Sequence, residues 1–168
     1  MDDAYRIALQ TEDDGYQLYV RALERSTHPL GRDILDFLAR EELKHTAIIE
    51  RIVSKITAGG RFEKEDFTLD ARRGETIFSE ALKNPEARLP GTADDLAVLR
   101  EGLRFETEGI AFFAKAAEAA ANPEERRFYE AMAREERAHK KLLESSIEYL
   151  ENPDVWFERD ASIHLDGA

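Results

Sequence analysis

The sequence predicts an all-α fold, a four-helix bundle made of two repeated helical hairpins joined by a long crossover. Three observations predict it. Apolar residues recur at steps of three and four along four long segments. Pro- and Asn-containing stops separate those segments. The chain also repeats itself: shifted by 94 residues, positions 9–50 lie over 103–144 without a gap, and 13 of the 42 pairs are identical. The run Ala-Arg-Glu-Glu-x-x-His occurs at 39–45 and again at 133–139. A proline and a histidine shared in one ungapped register mark two copies of one hairpin.

The elements follow in order. Leu9, Glu12, Tyr16, Tyr19 and Leu23 form the stripe of a first helix, about 2–26. Ser26-Thr27-His28-Pro29 stops it, and Ile34, Leu38, Glu42, His45, Ile49 and Val53 carry a second helix, about 31–57. Gly59-Gly60, Gly74, Pro85 and Pro90-Gly91 punctuate a crossover over 58–92 with one short helix, Glu75 to Lys83. A connection that long has a geometric reason if it runs the length of a bundle of about 40 Å. Leu96, Leu99, Leu103, Glu106, Ile110 and Phe113 mark a third helix, about 93–121. Asn122-Pro123 separates it from a fourth, about 124–151, striped by Phe128, Met132, Glu136, His139, Leu143 and Ile147 and ended by Asn152-Pro153. Residues 1–151 are thus one domain, and 152–168 form a tail in which Trp156 and Phe157 pack on the bundle or on a partner subunit.

Composition narrows the function. The chain has 168 residues, 24 Lys plus Arg against 36 Asp plus Glu, a formal charge of −12 and no cysteine. That balance disfavours nucleic acid and anionic membrane surfaces, both of which call for clustered Lys and Arg. Without cysteine, disulfides, thiolate metal sites, iron–sulfur clusters and a catalytic thiol are excluded. The acidic N-terminus is not a secretory signal, and the longest apolar run, Ile110 to Ala114, is far short of a spanning helix. The expectation is a cytoplasmic protein. A charged fraction of 36% with both signs suits long solvated helices.

Six side chains carry the chemistry. Glu12, Glu42 and His45 recur as Glu106, Glu136 and His139. Glu12 lies about as far before the first interhelix turn as Glu42 and His45 lie after it, so on antiparallel helices they meet at one height. The repeat copies that height into the second hairpin. Each Glu interrupts an apolar stripe, so four carboxylates point inward, where no Lys or Arg of these stripes neutralises them. Two divalent cations would remove the penalty of burying like charges. One Glu from each of two helices plus Glu-x-x-His from each of the other two is a dinuclear ligand set, with Glu42 and Glu136 as bridges. Oxygen ligands with two imidazoles suit iron or manganese and leave positions open for oxygen or peroxide. A bundle with exposed Glu and two ordinary core His is the alternative.

These motifs resemble the rubrerythrin family of the ferritin-like superfamily. The resemblance covers about residues 1–151 and is carried by Glu12-x-x-Gly15-x-x-x-Tyr19, Glu41-Glu42-x-x-His45, Glu106-x-x-Gly109 and Glu135-Glu136-x-x-His139. It implies a ferritin-like bundle with a non-haem di-iron site (Fe2+/Fe3+) held by Glu12, Glu42, His45, Glu106, Glu136 and His139. It further implies reduction of peroxide or oxygen under oxidative stress, often as a homodimer, with a rubredoxin-like electron donor. Two departures stand out. Gly109 occupies the position where the family carries a further Glu ligand, and the family's four-cysteine rubredoxin module is missing, so the chain is similar to a stand-alone member. Rival readings are a ferroxidase for iron storage or export, a di-manganese catalase or mixed-metal site, and a metal-free helical interaction module.

Other residues divide between roles. Tyr19, two turns after Glu12, matches a site tyrosine of the family pattern: it either bonds a ligand carboxylate or supplies an electron, or is a core aromatic with its hydroxyl satisfied. Its counterpart in the second hairpin is Phe113. Tyr16 reads as core. Gly15 and Gly109 each cost about 1 kcal/mol against Ala within a helix; they admit close helix approach or leave space for a small oxidant, and plain packing is the simpler reason for them. Glu41 and Glu135 read as solvated neighbours of Arg40 and Arg134 rather than acceptors for the imidazoles. His28 and His164 read as outside the metal site.

Overall fold

The computed structural model describes residues 3–58, 60, 76, 80 and 83–156. Its long elements are α1 (Asp3–Arg25), α2 (Pro29–Thr57), α3 (Ala93–Ala119) and α4 (Pro123–Glu151), so the all-α bundle is as expected. Two boundaries differ by two residues. The second helix begins at Pro29, because a proline at the first helical position has no amide hydrogen to leave unpaired. The third ends at Ala119, where Ala120 turns extended and its amide donates back to the Ala116 carbonyl at 3.0 Å. Asn122 then caps α4, accepting from the Glu124 amide with Pro123 at the first position.

Most of the short helix expected at 75–83 lies outside the described residues, as do Phe157 and His164. Residues 76 and 80 are helical, and Pro85–Arg88 adds a 3-10 turn capped by Asn84. Trp156 packs back on the bundle, its ring 5.4 Å from that of Tyr149 and nearly perpendicular to it. Among the described residues no helix is long and apolar enough to cross a membrane.

Each hairpin packs its own helices together, α1 on α2 and α3 on α4, and the hairpins join through α1 against α3 and α2 against α4. Neighbours are antiparallel across the joins. Arg25 near the end of α1 reaches Glu101 near the start of α3 at 3.0 Å, and the start of α2 lies beside Leu150 at the end of α4.

The apolar core is in two parts. Tyr19, Leu30, Ile34, Leu38, Leu99, Leu143 and Ile147 belong to one cluster, toward the α1–α2 turn. Tyr5, Ile49, Ile52, Phe113, Phe128 and Met132 belong to the other. Glu12, Glu42, His45, Glu106, Glu136 and His139 come between these clusters in sequence on every helix, and all six are buried. A polar layer therefore interrupts the core at mid-height.

Candidate metal centre

The repeat delivers one Glu from α1, one from α3, and Glu-x-x-His from each of α2 and α4. The spacing of three puts Glu42 and His45 on one face of α2, and Glu136 and His139 on one face of α4. All six are at most 4% exposed. They fall into two overlapping groups, Glu12–Glu42–His45–Glu136 and Glu42–Glu106–Glu136–His139. Within each group one ligand atom per residue lies within 4.8 Å of the others. Glu42 and Glu136 belong to both, the positions the sequence assigns as bridges. A divalent ion with bonds of about 2.0–2.2 Å spans opposed ligands a little over 4 Å apart, so the side chains need close in only slightly.

The imidazoles present Nδ1 inward. His45 Nδ1 is 2.9 Å from Glu12, 3.6 Å from Glu136 and 3.9 Å from Glu42. His139 Nδ1 is 3.5 Å from Glu106, 3.7 Å from Glu136 and 3.8 Å from Glu42. The two rings stack at 5.4 Å with 15° between their planes. Only the His45–Glu12 distance is that of a good hydrogen bond. Glu42 Oε1, Glu106 Oε2, Glu136 Oε1, His45 Nε2 and His139 Nδ1 are buried without a hydrogen-bond partner. Among the described residues, every ion pair of the four carboxylates is to one of these two histidines. Buried polar atoms are ordinarily satisfied, and the four of these that face the centre, all but His45 Nε2, are compatible with a bound cation.

Protons do part of a cation's work in the metal-free chain. Burial, then the charge of Glu12 and the other carboxylates, pushes Glu42 well above the usual carboxyl range. Burial and Glu106 raise Glu136 to about 7, and burial with Glu136 raises Glu12. Burial acts against the charged imidazoles, but Glu12 outweighs it at His45 and Glu106 at His139, so both are raised. Glu106 alone is lowered: burial pushes it up, and hydrogen bonding from Glu136, the His139 charge and the Tyr19 hydroxyl more than offset that.

The sign of the pH dependence follows. An unfolded carboxyl titrates near 4.5 and an unfolded imidazole near 6.5, so groups raised in the folded state hold protons the unfolded chain has released. Their contribution is complete below those values and lost as pH rises through the folded ones. The metal-free protein is expected to unfold at falling temperatures as pH rises from the unfolded carboxyl value of 4.5 through about 7, where Glu136 titrates, which thermal melts across that range will show.

Tyr19 stands where the site needs a donor. It is fully buried, and its hydroxyl donates to Glu106 Oε1. Burial and the Glu106 charge hold the phenol well above its usual range, so it remains a donor. The equivalent Phe113 sits in the apolar cluster, and the equivalent Glu12 takes its bond from His45 instead. A Tyr19→Phe change leaves Glu106 short of a donor and is expected to destabilise the metal-free protein by about 1–3 kcal/mol. Urea unfolding would measure it.

Other expectations fare differently. Glu41 and Glu135 are not solvated: they are 5% and 8% exposed. Glu41 pairs with Lys44, while Arg40 pairs with Asp36 at 2.7 Å. Burial raises the Glu135 carboxyl, with the charges of His45 and His139 acting against it. Glu135 of α4 thus lies near His45 and Glu41 of α2 as well as His139 of its own helix. His28 is buried away from the centre, its Nε2 2.8 Å from the Leu89 carbonyl oxygen. Tyr16 is half-buried against the cluster that contains Tyr19.

Two contributions escaped the sequence reading. Asp95 is a buried anchor for two chain segments, and the Thr92-x-x-Asp95 capping pattern was its signal. Phe105, off the α3 stripe, reaches over Gly15. No family model, curated protein or solved structure matches the chain.

Proposed function

We propose that the chain is a rubrerythrin-like non-haem di-iron protein that reduces peroxide or oxygen with electrons from an external donor. One observation carries the reading: two overlapping ligand groups, wholly buried, share Glu42 and Glu136 and, among the described residues, have no cationic partner beyond two imidazoles. When bound, two ferrous ions supply the two electrons that a peroxide needs. The chain's residues do the rest. Glu42 and Glu136, which belong to both ligand groups, would be shared between the ions, Glu12 and Glu106 would each hold one, and His45 and His139 would each offer Nδ1. Protons held in the centre leave as cations enter, so loading releases protons and weakens as pH falls.

The donor must come from outside these 168 residues, which hold no cysteine for a thiolate-bound iron relay. A small rubredoxin-like protein has the right chemistry.

The test is anaerobic loading with Fe(II), metal analysis, then separate oxygen and peroxide challenges followed by oxo-bridged ferric absorption. About two ions per chain and rapid oxidation by peroxide, repeated when reductant is supplied, are expected. Fewer than about one ion per chain would overturn the metal reading. Iron mineral formation without reductant turnover would transfer the site to ferroxidase chemistry, and disproportionation by a manganese-loaded form to a catalase.

A further inference from the structure

The internal repeat provides its own control. Gly15 and Gly109 hold equivalent positions, each three residues after a Glu of the centre. Their surroundings are not equivalent. A Cβ at Gly15 would lie 2.7 Å from Phe105 Cε1 and 3.1 Å from Glu42 Cδ, so an added methyl there has to displace the Phe105 ring. The Phe105 ring is held there edge-on to Tyr19, with 6.5 Å between centroids. At Gly109 the nearest atom to an added Cβ is Glu136 Cγ at 3.6 Å, followed by Glu136 Cδ at 3.8 Å and Oε2 at 3.9 Å. Those are ordinary contacts. Packing does not demand glycine at 109.

The cause is readable in the repeat. The residue equivalent to Phe105 is Thr11, which is small and turns its hydroxyl to the Ile7 carbonyl at 3.0 Å. One side of the centre is thus filled by an aromatic ring, and the other keeps a methyl-sized space against the carboxylate of Glu136. Gly109 is buried, so the space lies inside the bundle. A glycine that lowers helix stability without a packing need is explained by what the space admits.

We propose that the Gly109 side of the centre is where a small two- or three-atom ligand, of the peroxide or dioxygen class, sits against Glu136. This rests on the di-metal reading and adds the direction of approach. Gly109 keeps that side open, while Phe105 closes the other.

Azide serves as the probe, titrated by absorption into the iron-loaded, oxidised protein. Gly109→Ala is expected to weaken azide binding about tenfold or more. Its iron content stays unchanged, and its metal-free form unfolds at a higher temperature. Thr11→Phe, which installs on this side the ring that covers Gly15, is expected to weaken azide at least as much. Azide affinity within about twofold of the parent in both variants, with iron retained, would overturn the proposal. So would loss of iron in Gly109→Ala, because the glycine would then serve the ligand Glu136 and not an incoming molecule. Failure of the parent protein to load iron at all sinks the di-metal reading itself, a result distinct from iron-loaded variants that bind azide normally.

Discussion

The double variant Glu42→Ala plus Glu136→Ala should bind neither metal ion while keeping its helices. Both residues belong to both ligand groups, so each group of four falls to a Glu and a His: Glu12 with His45, and Glu106 with His139. Two ligands from facing helices hold a divalent ion far more weakly than four, and a loss of at least about a thousandfold in affinity is expected. Of the groups that remain, His45 bonds Glu12 at 2.9 Å and Glu106 accepts from the Tyr19 hydroxyl, while His139 Nδ1 stays without a partner. Removing Glu42 and Glu136 also removes two carboxyls raised in the folded state. Such groups cost stability as pH rises above their unfolded value, so the variant's metal-free melts should vary less with pH than the parent's. Melts with and without Fe(II) give the second readout. The parent should gain the stabilisation of ligand binding, about 2.7 kcal/mol per site at a hundredfold excess over Kd, and the variant none. Normal iron binding by the variant would show that the bridges are misassigned.

The bundle and the six centre residues were legible because one-dimensional signals encode them. Period 3.6 sets which face of a helix is buried, and distance from a turn sets height; Glu12, Glu42 and His45 are specified by those two quantities. The repeat then transfers both to Glu106, Glu136 and His139. What failed depends on the third quantity, the seam between helices of different hairpins. Glu41 and Glu135 each precede an inward Glu and sit beside an Arg, which reads as surface until α2 and α4 are brought together. Phe105 lies off its own stripe, and only the approach of α1 turns it over Gly15. The asymmetry of the two halves was half visible. Phe113 in place of Tyr19 can be read from the alignment, but Thr11 in place of Phe105 gains meaning only with the distances around Gly109. Asp95 was legible as a helix-start residue and not as a buried one, since its burial comes from a turn 68 residues away.

That carboxylate should be the costliest single residue of the fold outside the centre. Asp95 is 1% exposed and accepts six hydrogen bonds. Its Oδ1 takes the Ser26 hydroxyl at 2.9 Å and the amides of Thr27 and His28 at 2.7 and 3.0 Å. Its Oδ2 takes the Thr92 amide and hydroxyl at 2.9 and 2.6 Å and, more loosely, the Thr27 hydroxyl. The α1–α2 turn is thereby fastened to the start of α3, with the N-terminal ends of α2 and α3 both directed at one negative charge. Burial pushes this carboxyl up, but the hydrogen bonds from Thr92, His28 and Thr27 hold it well below the usual range, so it stays ionised. Asp95→Ala strands three backbone amides and should cost about 3–5 kcal/mol, a fall of about 10 °C in Tm. Asp95→Asn keeps one acceptor oxygen but turns an amide donor toward others, and should cost about half as much. The pH sign is opposite to that of the centre. A lowered carboxyl contributes fully above its unfolded value of 3.8 and loses that contribution as pH falls through the folded one, so the parent weakens in acid and Asp95→Asn lacks that part of the loss. Because the anchor lies at the bundle end and the ligands at mid-height, the folded Asp95→Asn protein should still take up two ions. Iron stoichiometry that fell together with stability would mean that the end of the bundle sets the spacing of the centre.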